Sequence, residues 1–195
     1  MTVEGPARNI AATTLHATSS VVRTRLGPTL PELNFPRRTR TLNAELPAWR
    51  MDLAGKAAGL WDPCTGIPDE ALHASNVDTA SRESGIAGIE QSGWKIGGWR
   101  GPEYAITVYS TARTVDQFEN KPGNVDFADV TITGRSGRRF RVAGASKHLN
   151  CNIVFPAQQG VIQLQVLVRA ALDNPPDPCE ILARIGENLV PWFPE

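Results

Sequence analysis

Tyr104-Ala105-Ile106-Thr107-Val108-Tyr109-Ser110-Thr111 is the stretch that decides the fold. Tyr104, Ile106, Val108 and Ser110 alternate with Ala105, Thr107 and Tyr109. A period of two sends successive side chains to opposite faces, so this stretch reads as a strand and not a helix. Just upstream, residues 94–99 read as a second strand, joined to the first by Arg100-Gly101-Pro102-Glu103. Downstream, residues 127–133 and 138–143 form a hairpin around Gly134–Gly137. Residues 150–155 and 161–169 form another, turning through residues 156–160. In its second strand Ile162, Leu164, Val166 and Val168 share one face.

Helical signals bracket these strands. Pro68-Asp69-Glu70 has proline at a first helical position and acids in the first turn, so a helix is expected to about Asn76. Residues 77–92 are polar and glycine-rich and read as a loop. Residues 115–119 suit a short helix before the Lys121-Pro122-Gly123 turn. Asp177-Pro178-Cys179-Glu180 opens the last helix, with Asp177 as its cap. Ile181, Leu182, Ile185 and Leu189 form its apolar stripe, and Pro191 ends it. The expected fold is α+β: a largely antiparallel sheet of about five to six strands, one face covered by an N-terminal and a C-terminal helix.

The chain has 195 residues, 20 basic and 20 acidic. Its neutrality hides a division: residues 1–60 carry a net +4 and residues 61–195 a net −4. Residues 1–47 lack periodicity and are rich in Ala, Thr, Ser, Arg and Pro, which suits a flexible basic arm. A short amphipathic piece at residues 42–49 would dock on the body. Residues 48–195 are expected to form a single domain. No apolar run is long enough for a membrane-spanning helix. Zero net charge argues against a dedicated nucleic-acid binder.

Chemistry-bearing motifs are sparse. His16, His73 and His148 stand alone, without metal-ligand spacing, so neither a metal nor a cofactor is expected. Ser92-Gly93-Trp94-Lys95 matches S-x-x-K formally but lacks its companion motifs, and no catalytic residue is assigned. The cysteines are Cys64, Cys151 and Cys179. One disulfide with a spare thiol, three reduced thiols, and a thiol activated at a helix start are all open readings. Trp94 and Trp99 are five apart, hence on opposite faces of a strand, so one belongs in the core and the other is free to line a groove. Trp94, Trp99, Tyr104, Arg139 and Arg141 are the candidate binding residues, the arginines as anion or headgroup contacts.

Leu60-Trp61-Asp62-Pro63-Cys64-Thr65-Gly66-Ile67-Pro68-Asp69-Glu70, then Gly93-Trp94-Lys95-Ile96-Gly97-Gly98-Trp99, Leu149-Asn150-Cys151 and Asp177-Pro178-Cys179 together resemble the DUF3558 family. Its members are exported actinobacterial lipoproteins, mainly mycobacterial and nocardial, of uncharacterised function. The resemblance spans about residues 60–195. It implies a disulfide-bearing α+β domain at the outer face of the plasma membrane, tethered by a lipidated cysteine near its start. Met1 is followed by Thr-Val-Glu-Gly-Pro with no apolar run, so neither signal peptide nor lipidated cysteine is read here, and a mature segment with an added Met1 is expected.

Similar proteins carry a cysteine where Gly97 stands, which would give two bridges. Here one is expected, Cys151–Cys179, worth about 3 kcal/mol in the chain-entropy model. Cys64 is then the free thiol. The expected function is a non-catalytic envelope binding module for a partner protein or an amphiphilic lipid-like ligand, held at the membrane surface. The alternatives are an extracytoplasmic enzyme and a cytoplasmic protein with free thiols.

Overall fold

The computed structural model describes residues 59–195. The basic arm at 1–47, the amphipathic piece at 42–49, His16 and the boundary at residue 48 lie outside the described residues.

Two short helices, α1 (Pro63–Gly66) and α2 (Asp69–Ala74), open the described chain. The strands β1 (Asp78–Ser84), β2 (Trp94–Arg100) and β3 (Tyr104–Thr111) follow. Helix α3 (Val115–Glu119) leads to β4 (Asn124–Ile132) and β5 (Arg135–Val142). Then come β6 (Asn150–Ala157), β7 (Gly160–Val168) and the last helix, α4 (Pro178–Leu189).

The seven strands form one antiparallel sheet in the order β1-β2-β3-β7-β6-β5-β4. The fold is α+β as expected, with seven strands instead of five to six. The added strand is β1, which lies inside the stretch read as a loop. Asp78-Thr79-Ala80-Ser81-Arg82-Glu83-Ser84 holds no apolar alternation, because no position of this edge strand is buried. Backbone pairing to β2 makes it a strand, and no local pattern announces that. The helix expected from Pro68 to about Asn76 is α2, and a further short helix, α1, precedes it.

Turn chemistry sets the hairpins. Thr133 and Gly134, between β4 and β5, both have positive φ, 48° and 81°, as a two-residue turn matched to strand twist requires. Gly160 opens β7 at φ 138°, and a β-carbon there would strike the Thr111 carbonyl.

Helices α1, α2 and α4 cover one face. Asp177 caps α4 by accepting the Cys179 N–H at 2.6 Å, and Pro178 occupies its first turn. Ile181, Leu182, Ile185 and Leu189 are buried against Ile106, Val108, Ile153, Leu164 and Val166 of the sheet. Each such side chain contributes about 1.5–3 kcal/mol through burial. The Asn188 amide donates to the Ala74 carbonyl at 3.1 Å and joins α4 to α2. Cys151 on β6 and Cys179 on α4 form a disulfide with their Cα atoms 5.1 Å apart, pinning helix to sheet.

The opposite face follows from the topology. From β3, in the middle of the sheet, the chain crosses to the far edge before returning through β5, β6 and β7. Helix α3 lies on this crossover, and its Phe118 packs on that second face with Phe140, Val154 and Val161. It covers only part of it.

Candidate functional site

The face opposite α4 carries a cavity of about 350 Å³. Aromatic side chains make one wall of it. The rings of Trp94 and Tyr109 are 6.0 Å apart, those of Trp94 and Phe118 6.2 Å, and those of Phe118 and Phe140 6.1 Å. Strand parity put them there. Trp94 shares its face of β2 with Ile96, whereas Trp99 points to the opposite side. Tyr109 lies on the side of β3 away from Tyr104, Ile106 and Val108.

Amides make the floor. Gln163 of β7 donates from its Nε2 to Asn152 Oδ1 of β6 at 2.8 Å, and Asn152 donates to Asn150 Oδ1 at 3.3 Å. Asn150 donates in turn to the Val142 and Ser146 carbonyls at 3.2 and 2.8 Å. Beside this ladder the Tyr109 hydroxyl donates to Gln165 Oε1 at 2.7 Å. Asn150, Asn152 and Gln163 are all buried. Burial pushes the Tyr109 phenol above its ordinary value, so it stays a neutral donor. Of the lining side chains, Lys121 alone carries a charge, and it is exposed at the rim. Arg113 stands over the Trp94 ring at 5.5 Å from its centroid.

A second depression, of about 210 Å³, adjoins the first and shares Ile86 and Tyr109 with it. Ile86 and Ile89 pair across a tight turn between β1 and β2 and are 54% and 66% exposed. Ala87 and Gly88 at its tip have positive φ.

Five residues were singled out as binding candidates, and the fold separates them. Trp94 lines the cavity. Trp99 and Tyr104 are 1% exposed and belong to the core beneath the helices, where Tyr104 donates to the Ser75 carbonyl at 2.8 Å. Arg139 and Arg141 lie on the α4 side of β5, beside a separate depression that Asp177 and Glu180 also line. Arg141 is held by both oxygens of the Asp177 carboxylate, at 2.8 and 2.7 Å, and by the Lys147 and Asn150 carbonyls.

Cys151 and Cys179 are bonded, and Cys64 is a half-buried free thiol on the helix-covered side. Burial, reinforced by Asp62, raises its pKa, which makes it a poor nucleophile. His73 and His148 are exposed, and no cluster of metal-ligating side chains occurs among the described residues.

Gln163 and Gln165 escaped the sequence reading. Their signal was present: two glutamines interleaved with the apolar row Ile162, Leu164 and Val166 of a central strand. A polar side chain inside a central strand needs a partner, and here the partners come from β6 and β3.

The chain matches the family model described as "Protein of unknown function (DUF3558)" over residues 36–191. It belongs to the DUF3558 family. No curated protein and no solved structure matches it. The match takes in every element of this DUF3558 domain up to the end of α4, including the cavity and the disulfide.

Proposed function

We propose that this DUF3558 domain is a non-catalytic binding module that takes an amphiphilic ligand on the face opposite α4. The single observation that carries this function is the cavity of about 350 Å³ with an aromatic wall and an amide floor. Ligand sites are mostly apolar concavities of roughly 300–1,000 Å³ in which a few placed polar groups fix orientation. Rings of Trp94, Phe118 and Phe140 supply apolar surface, and Gln163 and Gln165 supply hydrogen bonds. Facing amides and rings favour binding over proton transfer, for which paired acids or an activated nucleophile are needed.

The proposal sets this module in an actinobacterial cell envelope, at the outer face of the plasma membrane, as a lipoprotein. Two features support it. The Cys151–Cys179 bond suits an oxidising compartment. The net +4 of residues 1–60 suits an anionic membrane surface, where basic residues reinforce a lipid anchor.

Native mass spectrometry of the full chain, after incubation with a bacterial membrane lipid extract, tests the binding function. Discrete lipid adducts are expected, and they should be lost in Val142→Trp, which fills the cavity from its exposed edge. A spectrum without adducts in the unsubstituted chain overturns the proposal.

A further inference from the structure

Gln163 is 8% exposed, lines the cavity, and uses its Nε2 on Asn152. Its Oε1 accepts no hydrogen bond among the described residues and is open to the cavity, where a ligand donor can reach it. The neighbouring Gln165 has the complementary arrangement: its Oε1 accepts from Tyr109 and its Nε2 has no partner among the described residues. One acceptor and one donor, two residues apart on the same side of β7, therefore both border the cavity.

We propose that the cavity selects an amphiphile with an uncharged, hydroxyl-bearing headgroup, of the kind found in sugar- or glycerol-headed lipids. This rests on the binding function proposed above and names its ligand class. Hydroxyls both donate and accept, so a headgroup that bears several serves Gln163 Oε1 with a donor and Gln165 Nε2 with an acceptor. A headgroup that is only a carboxylate or a fully ionised phosphate has no proton to donate to Gln163. It would also sit on a floor of neutral amides with no buried cation, and an ion taken out of water without a counter-charge is strongly disfavoured.

The positive charges nearest the cavity, Lys121 and Arg113, are exposed at its rim, where water and salt screen them. The aromatic wall suits the same class, because Trp94 and Tyr109 offer flat apolar faces with polar edges. The adjoining depression, which shares Ile86 and Tyr109 with the cavity, offers room for an acyl chain beside Ala105.

Isothermal titration calorimetry of the full chain with three amphiphiles of equal chain length tests the selection. The probes are dodecyl maltoside, dodecanoate and dodecyl phosphate, each below its micelle concentration. Dodecyl maltoside is expected to bind about tenfold tighter than either anion, as one retained hydrogen bond requires. Gln165→Leu and Gln163→Leu should each bring the maltoside to the affinity of the anions, with thermal unfolding followed to verify that each variant folds. Gln165 is the safer position, because it is partly exposed and outside the Asn150–Asn152–Gln163 ladder. An anion that binds as tightly as the maltoside overturns the neutral-headgroup inference and leaves an amphiphile-binding module. Failure of all three to bind overturns the binding function itself.

Discussion

The sulfur of Cys64 lies 3.1 Å from the point where a β-carbon on Gly97 would stand. In a disulfide each sulfur sits about 3 Å from its partner's β-carbon, as a bond of about 2 Å between the sulfurs demands. The free thiol of α1 and the glycine of β2 thus hold the geometry of a bridge that lacks one sulfur.

Gly97→Cys is therefore expected to form a second disulfide. The same β-carbon would lie 2.7 Å from the Trp99 ring, so the ring must move, and the gain from the new bridge is partly offset by lost packing. Thiol titration of denatured, non-reduced protein checks this. The unsubstituted chain should show one thiol and the oxidised variant none. Two thiols in the variant would refute the geometry.

Removing the existing bridge gives the second prediction. Cys151 and Cys179 close a loop with a sequence separation of 28. The Cys151→Ala, Cys179→Ala double variant should lose about 3 kcal/mol of stability. Alanine is preferred to serine because Cys151 is fully buried and a hydroxyl there would need a partner. Urea unfolding with the linear extrapolation reads the loss, and a loss below about 1 kcal/mol would mean that packing alone holds α4 to β6.

Arg141 links three parts of the chain: β5, which carries it, the entry to β6 through the Asn150 carbonyl, and the α4 cap through Asp177. Its side chain is 17% exposed. Arg141→Ala should cost about 2–3 kcal/mol, since it leaves carbonyls and a capping carboxylate without their charged donor. Arg141→Lys should recover less than half of that, because one ammonium cannot reach both the Asp177 carboxylate and the Lys147 and Asn150 carbonyls, which the guanidinium holds with separate nitrogens. Full recovery in the lysine variant would show that charge alone matters at this position.

A pH prediction follows from the tyrosines. Burial raises the phenols of both Tyr104 and Tyr109 above their ordinary value. In the unfolded chain they ionise near pH 10, at about the reference value. The folded chain keeps its protons to higher pH, so this contribution is complete below about pH 10 and is lost as pH rises through the folded values. Urea midpoints between about pH 9 and 12 should fall more steeply in the unsubstituted chain than in Tyr109→Phe. Parallel curves would show that Tyr109 does not contribute to the loss.

Much of the fold was legible in short windows. Alternation marked β3 and β7, and Asp177-Pro178 with the Ile181–Leu189 stripe marked α4. The candidate site was less legible. Trp94 and Trp99 were assigned to opposite faces by parity alone, but which faced the core depended on where α4 packs. Arg141 read as an anion or headgroup contact, and the anion the fold places on it is Asp177, 36 residues away. Gln163 gains meaning only beside Asn152, which the β6–β7 pairing brings within 2.8 Å.

By itself the amino-acid sequence determined the types of the elements other than α1 and β1, the α4 cap and the α+β class, since these follow from periodicity and from capping residues a few positions apart. Tertiary structure alone decided that β1 is a strand, that β3 pairs with β7, and that the crossover through α3 leaves a partly covered face. Strand order and register depend on partners far apart in sequence, and a cavity is what remains once they have all been placed. The aromatic wall from β2, β3, α3 and β5, over amides from β6 and β7, belongs to no single window of the chain.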